Sequence, residues 1–170
     1  VIADRFAARR VRRLKRRLVD LACGEHGARS LVDCGGVWNV DGAYTFHALE
    51  RWPIERAVLV DTDISDAVRR RAEEFPALEL IEANFGSAEV AERVGEVDVV
   101  LFYDVLLHQV RPDWDEVLAM YAKRARILAV FNQQWTGPET VRLLELGAEE
   151  YLRNVPRTQF HSDVVEHLDE

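Results

Sequence analysis

The stretch LVDCGGVWNVDGAYTF, residues 31–46, reads as a short strand, an acid, two adjacent glycines, a loop and then a helix. Glycines directly after a strand let the backbone turn sharply and let another group approach it closely, because no Cβ stands in the way. A plain tight turn has the same composition. The meaning of the pair therefore depends on what the rest of the chain places beside it.

Outward from that stretch, strands and helices alternate. Short Val/Leu/Ile-rich runs at 30–34, 57–60, 78–82, 97–103 and 126–131 suit strands buried on both faces of a parallel sheet. Between them the spacing predicts helices at 42–51, 66–75, 87–94 and 114–124. Their punctuation agrees: Asp113 with Glu116 resembles a capping box, Pro76 follows the second of these helices, and Gly95 is placed to end the third. Such alternation predicts right-handed crossovers and an α/β fold, a Rossmann-like, doubly wound, mainly parallel sheet with helices on both faces.

The 170 residues are 48% hydrophobic, enough to bury one core without disulfides or structural metals. The expected organisation is a single domain: a basic helix over 1–27, a core over 30–135, and a helical C-terminal segment over 136–170, within which one helix opens near Pro138 and stops at Gly147. No apolar run approaches the ~20 residues of a bilayer-spanning helix, and the first residues lack a signal peptide's apolar segment, which points to the cytoplasm. Cys23 and Cys34 lie in no CxxC or Cys/His cluster, so both read as reduced thiols and no metal site is expected.

The net charge of −8 hides an asymmetry. Residues 1–20 carry eight basic and two acidic side chains, the remainder fourteen and twenty-eight. In the basic block, Val11, Leu14, Leu18 and Leu21 recur at helical spacing, which predicts that they form the buried stripe and that the arginines are solvated. The acidic remainder argues against a general polyanion binder, so nucleic acid is not the expected partner.

In an open parallel sheet, ligands bind beyond the carboxyl ends of the strands, where strand order reverses. Those ends carry Asp33–Gly36, then Asp61 and Asp63, then Asn84 and Phe85, then Tyr103 and Asp104. Acids, an amide and aromatics without a lysine or arginine cluster suit a ligand with hydroxyls, an aromatic base and positive charge better than one rich in phosphate.

Over roughly residues 30–135 the chain resembles the class I S-adenosylmethionine-dependent methyltransferases. LVDCGG resembles the family's acid and glycine-rich turn after the first strand, AVLVDTDIS its second strand, LIEANFGS its third, and VDVVLFYDVLLHQV its fourth. The resemblance implies S-adenosylmethionine as cofactor, held by Asp33, Gly35 and Gly36, with Asp61, favoured over Asp63, on the ribose hydroxyls and Asn84 and Phe85 at the adenine; the alternative for either acid, Asp63 above all, is a cap on the following helix. It places Tyr103 and Asp104 over the methyl donor. The family commonly spaces three glycines at alternate positions, whereas here Gly36 is followed by VWNVD before Gly42, a loop about three residues longer. Gly42 is a possible equivalent of the third glycine, and Asp41 is either a ligand or a helix N-cap.

Methyl transfer needs alignment, and a base only where the acceptor must lose a proton. His108, following the fourth strand, is the candidate base, with Asp104 either touching the methionine part of the cofactor or orienting His108. A packed or surface imidazole is the alternative. His47 reads as a helix-face residue. Trp38 is either a lid or a buried anchor, and Gln133, Gln134 and Trp135 are candidate contacts to the acceptor. The expected activity is methyl transfer to an oxygen or nitrogen of a small molecule, with oligomerisation left open. The competing readings are a non-catalytic protein of the same fold, a nucleic-acid methyltransferase, and a nicotinamide-dependent oxidoreductase, whose GxGxxG the loop fits poorly.

Overall fold

The structure is a computed structural model and describes residues 2–109 and 111–132; the predicted helix near Pro138 and the candidates Gln133, Gln134 and Trp135 lie outside the described residues. Five strands, β1 (Ser30–Cys34), β2 (Arg56–Asp61), β3 (Leu78–Glu82), β4 (Val97–Tyr103) and β5 (Ala125–Phe131), form one sheet in the order β3-β2-β1-β4-β5. Every pairing is parallel. The helices are α1 (Ile2–Asp20), α2 (Ala43–Arg51), α3 (Asp66–Ala72), α4 (Ala88–Val94) and α5 (Trp114–Ala122). All five predicted strands are present, with edges moved by one residue at most.

Side chains alternate across the sheet, so each strand serves two cores. Val32, Val58, Val100 and Phe102 pack against Val90, Ala91 and Val94 of α4 and Val117 and Tyr121 of α5. On the other face Leu31, Ala57, Val99, Leu101 and Tyr103 pack with Val19 of α1 and Tyr44 and Ala48 of α2. Leu59 joins Phe46 of α2 and Val68 of α3 in a third cluster on that side. This two-sided covering is the doubly wound arrangement, and β1 is its centre: the chain builds outward to β3, then crosses back to place β4 on β1's other flank.

Local chemistry fixes the elements where the sequence signals them. Ser65 caps α3 by accepting from the Val68 N–H at 3.3 Å. Asp113 and Glu116 form the capping box of α5, and Gly95 ends α4 at φ 66°, a conformation that favours glycine. Asp98 ties the start of β4 to β1, its Oδ2 accepting from the Arg29 N–H at 2.8 Å, the Ser30 N–H at 2.9 Å and the Ser30 hydroxyl at 3.1 Å.

The buried face of α1 corrects the predicted stripe. Leu14 is 42% and Leu21 39% exposed, while Lys15, Val19 and Ala22 face inward. The helix is rotated because Lys15 has an acid and three aromatic rings waiting for it in the fold, and no apolar-periodicity argument assigns a lysine to a core face. Cys23 and Cys34 are both buried and free, and burial pushes the Cys23 thiol up to about 11. Among the described residues, no helix is long and apolar enough to cross a membrane, and no group of three His, Cys, Asp or Glu is placed to hold a metal ion.

Candidate functional site

The carboxyl ends of β1 and β4 flank the reversal of strand order, and the loop after β1 is built around two acids. Asp33 ends up on the α2 side of the sheet, where it is 1% exposed and accepts from the Thr45 hydroxyl at 2.8 Å. Burial pushes its carboxyl up to about 6; Thr45 opposes the shift and the nearby Asp61 adds to it. Gly35 adopts φ 70° and its N–H donates to the Val60 carbonyl at 2.7 Å. A Cβ on Gly35 would stand 2.6 Å from Val105 Cγ1 and 3.5 Å from the Phe85 ring, so the turns after β3 and β4 close on this residue. A Cβ on Gly36 would lie 2.5 Å from the Asp33 carboxyl. The glycine pair is therefore required by an acid and two neighbouring turns, not by the sharpness of the bend alone.

The longer loop is ordered by its own hydrogen bonds. The N–H groups of Val40 and Asp41 both donate to the Val37 carbonyl, and that of Gly42 donates to the Gly36 carbonyl at 2.8 Å. Asp61, at the end of β2, reaches across: its Oδ2 accepts from the Val37 N–H at 2.8 Å, and Oδ1 from the Asp63 N–H at 3.4 Å. Asp63 is exposed and caps nothing, because Ser65 caps α3. Asp41 is not the N-cap of α2 either. That position belongs to Gly42 at φ 70°, while Asp41 accepts from the Ser65 hydroxyl at 3.1 Å. Trp38 is 65% exposed and Val37, at 5%, is the loop's buried residue. A buried-anchor role therefore belongs to Val37 rather than to the indole.

After β3, Asn84 folds back on its own turn, its Oδ1 accepting from the Gly86 N–H at 2.8 Å, which leaves its amide nitrogen as the outward donor. Phe85 is buried against Phe102, with ring centroids 6.1 Å apart, and its carbonyl accepts from the Tyr121 hydroxyl at 2.9 Å. Tyr121→Phe is expected to cost about 1–2 kcal/mol, since it strands a buried carbonyl. Urea unfolding measures it, and a loss below about 0.5 kcal/mol would show that the turn finds another donor.

At the end of β4, Tyr103 is directed to α1, its hydroxyl donating to the Lys15 carbonyl at 3.2 Å and its ring meeting Tyr44 edge-on at 5.1 Å. Asp104 takes φ 60° and pairs with Lys15, Nζ to Oδ2 at 2.6 Å. The ammonium also lies over the rings of Tyr44, Tyr103 and Phe131 at 5.5, 5.7 and 5.4 Å. The other carboxylate oxygen, Oδ1, is buried and has no hydrogen-bond partner among the described residues. Asp104 is thus oriented by Lys15. His108 is exposed on the one-turn helix Leu106–His108, whose three-residue period does not stack it over Asp104 as an α-helical turn does. His47 bonds Asp20 at 2.8 Å, a helix-face contact.

Lys15 is the site residue the sequence reading missed. Its signal is the spacing Lys15, Val19, Ala22, a helical face on which the lysine takes the place of an apolar residue.

The sheet order, the covering helices and the loop-bearing strand ends define a Rossmann-like fold of the class I methyltransferase type. No family model matches the sequence, and no curated protein matches it. Solved structures do match the fold. An O-methyltransferase family protein from Burkholderia thailandensis superposes with a TM-score of 0.55 at 21% identity, over 98% of this chain and 53% of that one. The plantazolicin methyltransferase BpumL, solved in complex with SAH, gives 0.54 at 12% identity, over 98% of this chain and 62% of that one. TnmH gives 0.51 at 18% identity, over 79% and 41%. The chain spans about half the length of the first of these proteins.

Proposed function

We propose that the protein transfers a methyl group from S-adenosylmethionine to an oxygen or nitrogen of a small molecule. The observation that carries this reading is the convergence at β1 and β4: Gly35 under Phe85 and Val105, Asp61 bonded into the glycine loop, and Asp104 with one buried oxygen unbonded among the described residues. These residues fit the cofactor in kind. Asp61 has lone pairs beyond the two it gives to backbone N–H groups, and a carboxylate accepts well from vicinal hydroxyls. Asn84 offers a donor to a purine ring nitrogen. Among the described residues Asp104 Oδ1 lacks a donor, which an ammonium or hydroxyl of the ligand would supply.

When bound, the sulfonium supplies an activated methyl with its leaving group already attached. The chain's own work is then orientation: Asp33 and Asp61 hold the loop, Lys15 holds Asp104, and His108 stands exposed on the turn beyond as the residue available to take an acceptor's proton. Calorimetry with S-adenosylmethionine and NADH tests the reading. Binding of the first and not the second is expected, and NADH binding would overturn it. Asp61→Ala is expected to weaken cofactor binding about tenfold or more, at least about 1.4 kcal/mol. Because Asp61 also holds Val37, thermal unfolding of the variant is read alongside; unchanged affinity in a folded variant rejects its role.

A further inference from the structure

The rotation of α1 that buries Lys15 brings Arg12 and Arg16 to the same side of the helix, one turn apart. They line a cavity of about 210 Å³ whose other wall is the loop after β1, through Asn39, Asp41, Ala43 and Tyr44. Beside them on α1, Lys15 is neutralised by Asp104. Among the described residues, neither guanidinium has a salt-bridge partner, and both line the cavity beside Tyr44. The one carboxylate in the lining, Asp41, accepts from Ser65 across the loop, so the lining keeps an excess of one positive charge. The amino end of α2 does not create this excess, because its first turn is served by Asp33 through Thr45.

We propose that this cavity is an anion subsite, holding a carboxylate or phosphate of a small molecule that lies at the adjoining strand ends. Two guanidiniums one turn apart present several N–H donors to one cavity, the arrangement that recognises a planar carboxylate or a phosphate by paired charge-assisted hydrogen bonds. The proposal rests on the methyltransferase reading only for the source of the anion, which is either the amino-acid end of the cofactor or an acidic group on the methyl acceptor.

The test uses the full chain and calorimetry with three probes: inorganic phosphate, S-adenosylhomocysteine, and methylthioadenosine, which lacks the carboxylate end. Arg12→Gln with Arg16→Gln is compared with Arg13→Gln and Arg17→Gln, which remove the same charge from exposed positions of the same helix. Phosphate affinity is expected to fall tenfold or more in the first variant and stay within twofold in the second. If S-adenosylhomocysteine weakens in parallel while methylthioadenosine does not, the anion is the cofactor's carboxylate; if S-adenosylhomocysteine is unchanged, it is the acceptor's. Equal phosphate affinity in the two variants, or none in the wild type, overturns the subsite. Phosphate binding through Arg12 and Arg16 without any binding of S-adenosylhomocysteine keeps the subsite and removes the methyltransferase reading.

Discussion

Asp104→Asn is expected to lower stability by about 3 kcal/mol, because it leaves the Lys15 ammonium without its counter-charge, and breaking a buried pair from one side is far costlier than removing the pair. The Lys15 side chain is only 7% exposed, whereas that of Asp104 is 28% exposed, which sets the loss at the low end for buried pairs. Asparagine tolerates the left-handed φ of 60° at this position, so backbone strain does not contribute. Lys15→Met is expected to be milder: the methionine fills the space between Tyr44, Tyr103 and Phe131, and the Asp104 side chain left behind is the more exposed of the pair, at 28%. For a chain of this size the asparagine variant should melt about 6–12 °C below the wild type. Equal losses in the two variants would show that the pair is held by packing and that charge has little part in it.

This asymmetry also explains what was legible in the sequence and what was not. The strands were readable because β1, β2 and β4 are buried on both faces and so are almost continuously apolar, a signal that needs no partner to be recognised. The Asp113 and Glu116 box and the Gly95 terminus were readable for a similar reason, since each acts within a few residues of itself. The α1 face was not, because the choice between Leu14 and Lys15 is made by Asp104, 89 residues away, and by rings from α2, β4 and β5. A helix pattern weighs apolar area alone. Here an ion pair with three aromatic neighbours outweighed two leucines that now face outward.

The loop at Gly35 shows the same division. Its order after β1 and the acid at the end of β2 were visible, and they located the candidate site at the switch point. Hidden was the purpose of each polar group: Asp61 bonds the Val37 N–H, Asn84 bonds its own turn, and Tyr103 bonds α1. A side chain's partner depends on loop geometry that a single sequence does not encode in its spacing. The VWNVD segment, which lengthens the loop after the glycine pair, closes a hydrogen-bonded turn that puts Asn39 and Asp41 opposite α1. The longer loop and the cavity are thus one feature.

Asp33 carries the second large effect, and its sign is opposite to that of Asp98 and Glu82. Asp98 and Glu82 are held below their ordinary values, the first by the Arg29 N–H and the second by the Ile64 N–H and Arg69. Such groups contribute stability above the unfolded pKa that is lost as pH falls. Asp33 rises from 3.8 to about 6, chiefly because burial disfavours its charged form. Between those values the folded state binds more protons than the unfolded one, so its contribution is fully present below pH 3.8 and is lost as pH rises through about 6. The shift corresponds to about 3 kcal/mol. Asp33→Asn keeps an oxygen for the Thr45 hydroxyl and has no charge to desolvate. Measured against the wild type by urea unfolding, the variant should therefore gain about 3 kcal/mol more at neutral pH than at pH near 3, with the change centred between the two pKa values. Taking the difference between the proteins cancels Asp98, Glu82 and every other shared group. A difference that stays flat across that range would mean that water or a neighbouring cation solvates the Asp33 carboxylate in the folded state, and that the loop after β1 tolerates its charge without cost.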